Sequence, residues 1–147
     1  MFNEAGSGGG DHAAMLTTLA RARPDRLKAM AETVLAHMGD IEVIANRTGL
    51  VMVPMRDSVE NVDFHLGEVL VSEAHIRDGA GHVGYGMVNG RDLERAMAMA
   101  VIDLHVAAAG QNEAILRFLA EESAHVRAQD ETRMRQVEAT RVEMETF

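Results

Sequence analysis

Residues 92–109, DLERAMAMAVIDLHVAAA, limit most strongly what this chain can fold into. Leu93, Met97, Ala100, Val101, Leu104 and Ala108 recur at helical spacing on one face, and Met99, Ile102 and Val106 make the other side apolar too. A helix that is apolar nearly all round has to be covered on all sides. The cover has to come from 147 residues that include no Trp and only 3% aromatics, so the core is built of Leu, Val, Ala and the eleven Met. Either this helix is the centre of the core, or a partner covers one side of it.

A strand, a Gly-rich turn, a second strand and a Gly-Arg-Asp corner lead into this helix, making residues 64–106 one hairpin-to-helix unit. Even positions of the first strand carry Phe64, Leu66, Leu70, Ala74 and Ile76, and odd positions of the second carry Val83, Tyr85 and Met87. To bring these rows onto one face, a four-residue loop (residues 78–81) closes with Arg77 opposite His82, setting Ile76 by Val83 and Ala74 by Tyr85. Glu73, His75, Arg77, His82, Gly84 and Gly86 then fall on the other face. Gly67 is a candidate bulge that swaps faces near Glu68.

Upstream, residues 1–12 are rich in Gly and read as a disordered lead-in. Helical spacing begins at Met15, breaks at Arg23-Pro24 and resumes until Gly39, which reads as a C′ glycine. Residues 41–45 and 50–55 read as two β runs separated by a turn at 46–49, with Pro54 marking an edge or a strand end. From Gln111 to Phe147 there is no Gly or Pro, and the apolar stripe is thin. This is two helical segments, or one long helix that leaves the domain. The expected fold is α+β: an antiparallel sheet of about four strands with N-terminal helices, a central apolar helix and extended C-terminal helices. The core domain spans 13–110, and 111–147 form a helical arm.

Chemistry is sparse. Gly90-Arg91-Asp92 sits where a strand enters a helix, so free N–H groups and the positive dipole end favour an anion that Arg91 could close on. The plainer reading is structural, with Asn89 or Asp92 as the cap and Gly90 as the corner. Glu68 is either exposed or a partner for an arginine such as Arg91. His75 and His82 lie diagonally on the expected hairpin and could hold a metal with Glu73. They also read simply as exposed strand histidines, and no metal is assigned. With no Cys there is no disulfide, thiolate zinc site or protein-held iron–sulfur cluster. Walker and G-x-S-x-G patterns are missing. A net charge of −9 gives no footprint for nucleic acid or an anionic membrane. No signal-peptide pattern or membrane span is expected, which fits a cytoplasmic protein.

The segments TGLVMV (48–53), Phe64 with GEVLVSEAHIR (67–77), VGYGMVNGRD (83–92), ERAMAMAVIDL (94–104) and ATRVEMETF (139–147), in this order, resemble the PhnG family. PhnG is the small subunit of the bacterial carbon–phosphorus lyase system, and the likeness runs from about Met15 to Phe147. The resemblance implies a cytoplasmic hetero-oligomer with subunits I, H and J. Its role would be accessory or non-catalytic: it supports formation of α-D-ribose 1-methylphosphonate 5-triphosphate from ATP and methylphosphonate, with adenine displaced. ATP is then a substrate of the complex, and this chain alone binds no cofactor. No catalytic residue carries over. Gly90, Arg91, Asp92 and Glu68 are the expected anion or partner contacts. Met97, Met99, Ile102, Val106, Val142, Met144 and Phe147 are the expected docking surface. The alternative is a small self-associating domain that binds an anion or phosphate ligand.

Overall fold

A computed structural model describes residues 7–142. The expectations placed on residues 1–6, Met144 and Phe147 lie outside that range. The elements are α1 (Ser7–Arg21), α2 (Pro24–Leu35), β1 (Ile41–Arg56), β2 (Asp63–Asp78), β3 (Val83–Asn89), α3 (Leu93–Ala109) and α4 (Glu113–Ala139). The fold is α+β, with one antiparallel sheet in the order β1-β2-β3. Among the described residues no helix is long and apolar enough to cross a membrane.

Three strands stand where about four were expected. The turn signal at Asn46–Gly49 is overridden because each of its residues finds a partner in the equally long β2: Asn46 opposite Ala74, Arg47 opposite Glu73, Thr48 opposite Ser72, Gly49 opposite Val71. A backbone offered a continuous ladder has no reason to turn. The chain reverses instead at Asp57, whose carboxylate accepts the N–H groups of Val59 and Glu60 at 3.0 and 3.2 Å. Asn61 supports that turn with φ 57°. Pro54 is tolerated because β1 is an edge strand. The register steps past Leu66, beside Gly67, where the sequence pointed to a bulge, and past Ile44.

The β2–β3 register differs from the expected one by one residue. Arg77 faces Val83, Ile76 faces Gly84 and Ala74 faces Gly86. Apolar alternation does not decide this seam; the approach of α3 does. A Cβ on Gly84 would clash with the Ala100 carbonyl oxygen and lie 2.6 Å from Leu104 Cβ. On Gly86 it would clash with the Ala96 carbonyl oxygen and lie 2.9 Å from Ala100 N. The two glycines therefore face inward and let the helix backbone rest on the strand, while Val83, Tyr85 and Met87 turn outward beside Glu73, His75 and Arg77.

Helix α3 lies between the sheet and α2, at the centre of the core. Ala96, Ala98, Met99, Ala100, Val101, Ile102 and Leu104 are buried. Met99 and Ile102, expected at a partner surface, are inside this chain's own core, because α1, α2 and the sheet together suffice to cover that side. Met97 and Val106 remain partly exposed at its margin.

At the ends of the chain, α1 begins at Ser7, so residues 7–12 of the supposedly disordered lead-in are helical. His12 ties that turn to Asp103 on α3 at 2.7 Å, an anchor the local composition does not reveal. Arg23 is extended (ψ 125°) ahead of Pro24, which opens α2. That helix stops at Leu35 with Ala36 as its C-cap, so His37 and not Gly39 follows the cap. The C-terminal segment is one helix, capped where the Ile115 N–H donates to Asn112 Oδ1 at 2.9 Å. Ile115 and Phe118 belong to the core and Glu122 is fully buried, so the first turns of α4 pack with the rest of the chain.

Candidate functional site

The Gly90-Arg91-Asp92 corner is built around a residue that sequence reasoning passed over. Ser72, fully buried on β2, donates its hydroxyl hydrogen to the Gly90 carbonyl and accepts the Asp92 N–H, both at 2.8 Å. Gly90 has φ +89°, a conformation that favours glycine, and its N–H donates to the Leu70 carbonyl at 2.8 Å. Asp92 caps α3 by accepting the Arg95 N–H at 3.0 Å. Three backbone N–H groups of this corner, those of Gly90, Asp92 and Arg95, are thus already engaged. Arg91 is exposed, with no acidic partner among the described residues. Glu68 is also exposed, on the stretch of β2 that runs past the end of β3, and the two form no ion pair. A sequence signal for Ser72 exists only in hindsight: it is a small hydroxyl residue in a run that is otherwise apolar on its face.

The three supposed metal ligands are not brought together. His75 meets the Tyr85 ring edge-on, with centroids 6.1 Å apart. His82 Nδ1 lies 2.8 Å from Asp78 Oδ2, and Glu73 is 3.5 Å from Arg47 Nε. Among the described residues no group of three or more His, Asp or Glu could hold a metal ion. Asp78 also accepts the N–H groups of Ala80 and His82, so the pair closes the hairpin loop. Partial burial alone would raise the Asp78 pKa. The hydrogen bonds and charge of His82 outweigh that and hold the carboxyl below the usual range.

Two buried carboxylates serve the framework. Asp103 on α3 holds His12 Nε2 with one oxygen and accepts the Tyr85 N–H at 2.9 Å with the other, joining α1 and β3 to the central helix. Glu122 on α4 accepts from the Arg23 backbone N–H at 3.0 Å, Arg23 Nη2 at 2.7 Å and Arg26 Nη1 at 2.8 Å. Burial would raise its pKa, but the Arg23 hydrogen bonds and the charges of Arg23 and Arg26 prevail and keep it low. Arg26 also pairs with Glu121, and Arg21 with Asp130 at 2.6 Å, so α4 is clamped along the α1–α2 corner by charge as well as by Phe118.

Apolar surface is also left exposed. Residues 49–70 form a two-stranded ribbon that leaves Leu50, Met52, Met55, Val59, Val62, Phe64 and Leu66 exposed. A groove of about 410 Å³ runs near its base, between α2 and α3, lined by Leu35, Asn46, Leu93, Met97 and Val101 among others. Met134, Val137 and Val142 are exposed on or just past the end of α4. Of the expected docking residues, Met97 lines the groove and Val142 is exposed, while Val106 is partly buried against the core. The ribbon escaped the sequence reading because the β run at 50–55 was not paired with the strand that begins near Phe64.

The sequence matches the family described as "Phosphonate metabolism protein PhnG" over residues 11–147. It is also similar to a curated protein of Rhizobium meliloti (strain 1021), named alpha-D-ribose 1-methylphosphonate 5-triphosphate synthase subunit PhnG, with 33% identity over 100 residues. That alignment covers 68% of this chain and 64% of the relative, a little under two thirds of the relative's length.

Proposed function

The chain belongs to the PhnG family, and we propose that it is an accessory, non-catalytic subunit of a complex that makes α-D-ribose 1-methylphosphonate 5-triphosphate from ATP and methylphosphonate, releasing adenine. The observation that carries this reading is the family match along nearly all of the chain, with a relative that is itself named as a subunit of such a synthase. Side-chain geometry supports it. Asp78 with His82 in the hairpin, Asp92 at the helix corner, and Asp103 and Glu122 in the core are engaged in holding the framework together. Apolar surface is left over instead, which suits a chain that works within an assembly. The partners in this proposal are the I, H and J subunits of the carbon–phosphorus lyase system in the cytoplasm, with ATP as substrate of the complex and no cofactor held by this chain.

A second reading, a self-associating anion-binding domain, has Arg91 in its favour. It loses two backbone donors, since the N–H groups of Gly90 and Asp92 already donate to Leu70 and Ser72. Co-expression of the tagged chain with I, H and J tests the choice. The proposal expects one co-eluting complex, and adenine release from ATP and methylphosphonate that falls when this chain is left out. A monodisperse monomer that ignores all three subunits would refute it.

A further inference from the structure

The ribbon of residues 49–70 has an open edge as well as open faces. Strand β3 ends at Asn89, opposite Val71, and the last bond across that seam runs from the Gly90 N–H to the Leu70 carbonyl. Beyond it β2 is paired on its β1 side only, for residues 63–70. Since successive residues of a strand direct their N–H and C=O to opposite sides, those of Glu68 face the same open side as the Leu70 carbonyl. Pairs across the ribbon place Leu50, Met52, Glu68 and Leu70 on one face and Val51, Val53 and Val69 on the other. Leu50 is 63% exposed and Leu66 65%. An isolated two-stranded ribbon is marginal in water, and an exposed apolar edge invites another strand.

Charge indicates what covers it. The ribbon carries four carboxylates (Asp57, Glu60, Asp63 and Glu68) and a single arginine, Arg56. Arg56 binds Asp63 at 2.7 Å, and Asp57 caps the turn. Glu60 and Glu68 have no basic partner among the described residues. Glu68 stands opposite Met52, inside an apolar row, where dehydration without a cation would be costly. A second copy of this chain would bring the same acids and a net charge of −9, and anionic membranes or nucleic acid would also repel them.

We infer that the ribbon inserts into a cleft of a different protein chain, which lays an extended strand along the open β2 edge at residues 63–70, in line with β3. That cleft is apolar and presents a Lys or Arg to Glu68. The inference rests on the proposal that this chain is a subunit, and it assigns the surface, the mode of pairing and the chemistry of the partner. Main-chain bonds along the added strand supply the pairing, and the apolar rows supply the burial.

The test uses the full chain with purified I, H and J subunits, measuring affinity and amide exchange together. Binding should slow exchange at residues 63–70. Leu50→Ser and Leu66→Ser should each weaken binding roughly tenfold or more. Glu68→Lys should weaken it more than Glu68→Gln. All four substitutions lie at exposed positions, and unchanged circular dichroism and melting should confirm their folding. If wild type binds while residues 63–70 stay unprotected and the variants bind equally well, the inference fails and the subunit proposal stands. If wild type binds no subunit, both fail. Protection of residues 63–70 in a dimer of this chain alone would overturn the inference in favour of self-pairing.

Discussion

The β3–α3 seam and the β1–β2 ribbon are both rich in apolar residues, yet they meet opposite fates. At the seam, Gly84 and Gly86 remove the side chains that would hold a helix away, so α3 settles on the strand and buries Ala96, Ala100 and Leu104. Along the ribbon, Leu50, Met52, Phe64 and Leu66 stand on the stretch of β1 and β2 past the end of β3 and remain exposed. Closure therefore depends on local shape complementarity as much as on hydrophobicity. The chain completes one apolar surface by itself and leaves the other exposed.

Substitutions in the two regions should separate sharply in the isolated chain. Ile102→Ala, in the centre of α3, should lower stability by about 2–5 kcal/mol in urea unfolding, since it removes buried apolar volume and leaves a cavity. A smaller loss would mean that the core around α3 is loosely packed. Gly86→Ala should cost about 1–3 kcal/mol, because the added methyl forces α3 off the strand. Neutral behaviour there would break the argument that the glycines set the register.

Ser72→Ala follows at about 1–2 kcal/mol, for it orphans the Gly90 carbonyl and the Asp92 N–H together. Glu122→Gln should lower stability at pH 7 by about 1 kcal/mol, modest because Arg23 and Arg26 are partly exposed. Its pH dependence has a definite sign. The folded carboxyl has the lower pKa, so its contribution is complete above the unfolded value of about 4.3 and disappears as pH falls through the lower folded value. The gap between Glu122→Gln and wild type should narrow across that acid range, and a constant gap in thermal melts would contradict the assignment. Leu66→Ala on the ribbon should fall within about 0.5 kcal/mol of wild type.

Sequence pattern revealed the elements whose signals are local. Asp92 as the α3 cap, the Arg23-Pro24 break and the irregularity beside Gly67 each depend on a few neighbouring residues. The β2–β3 register was misread because hydropathy alternation gives weight to Val83, Tyr85 and Met87 and none to glycine. The informative pattern was instead Gly84-x-Gly86 matched to Ala96 and Ala100, two short-side-chain rows able to stack. Thr48 and Gly49 looked like a turn only while their partners Ser72 and Val71 were unknown. Asp103 and Glu122 meet His12 and Arg23, 91 and 99 residues away, and no window of sequence encodes such a meeting. Of the expected site, Asp92 was legible as structure, whereas the ribbon depends on the pairing of residues 50–56 with 63–70.

Amide exchange across the whole chain, free and bound to I, H and J, tests the central claim most directly. The account predicts that in the free monomer residues 84–104 exchange slowly and residues 49–70 quickly, and that only the latter gain strong protection in the complex. Equal protection of both regions in the free monomer, or a ribbon that stays unprotected in the complex, would contradict it.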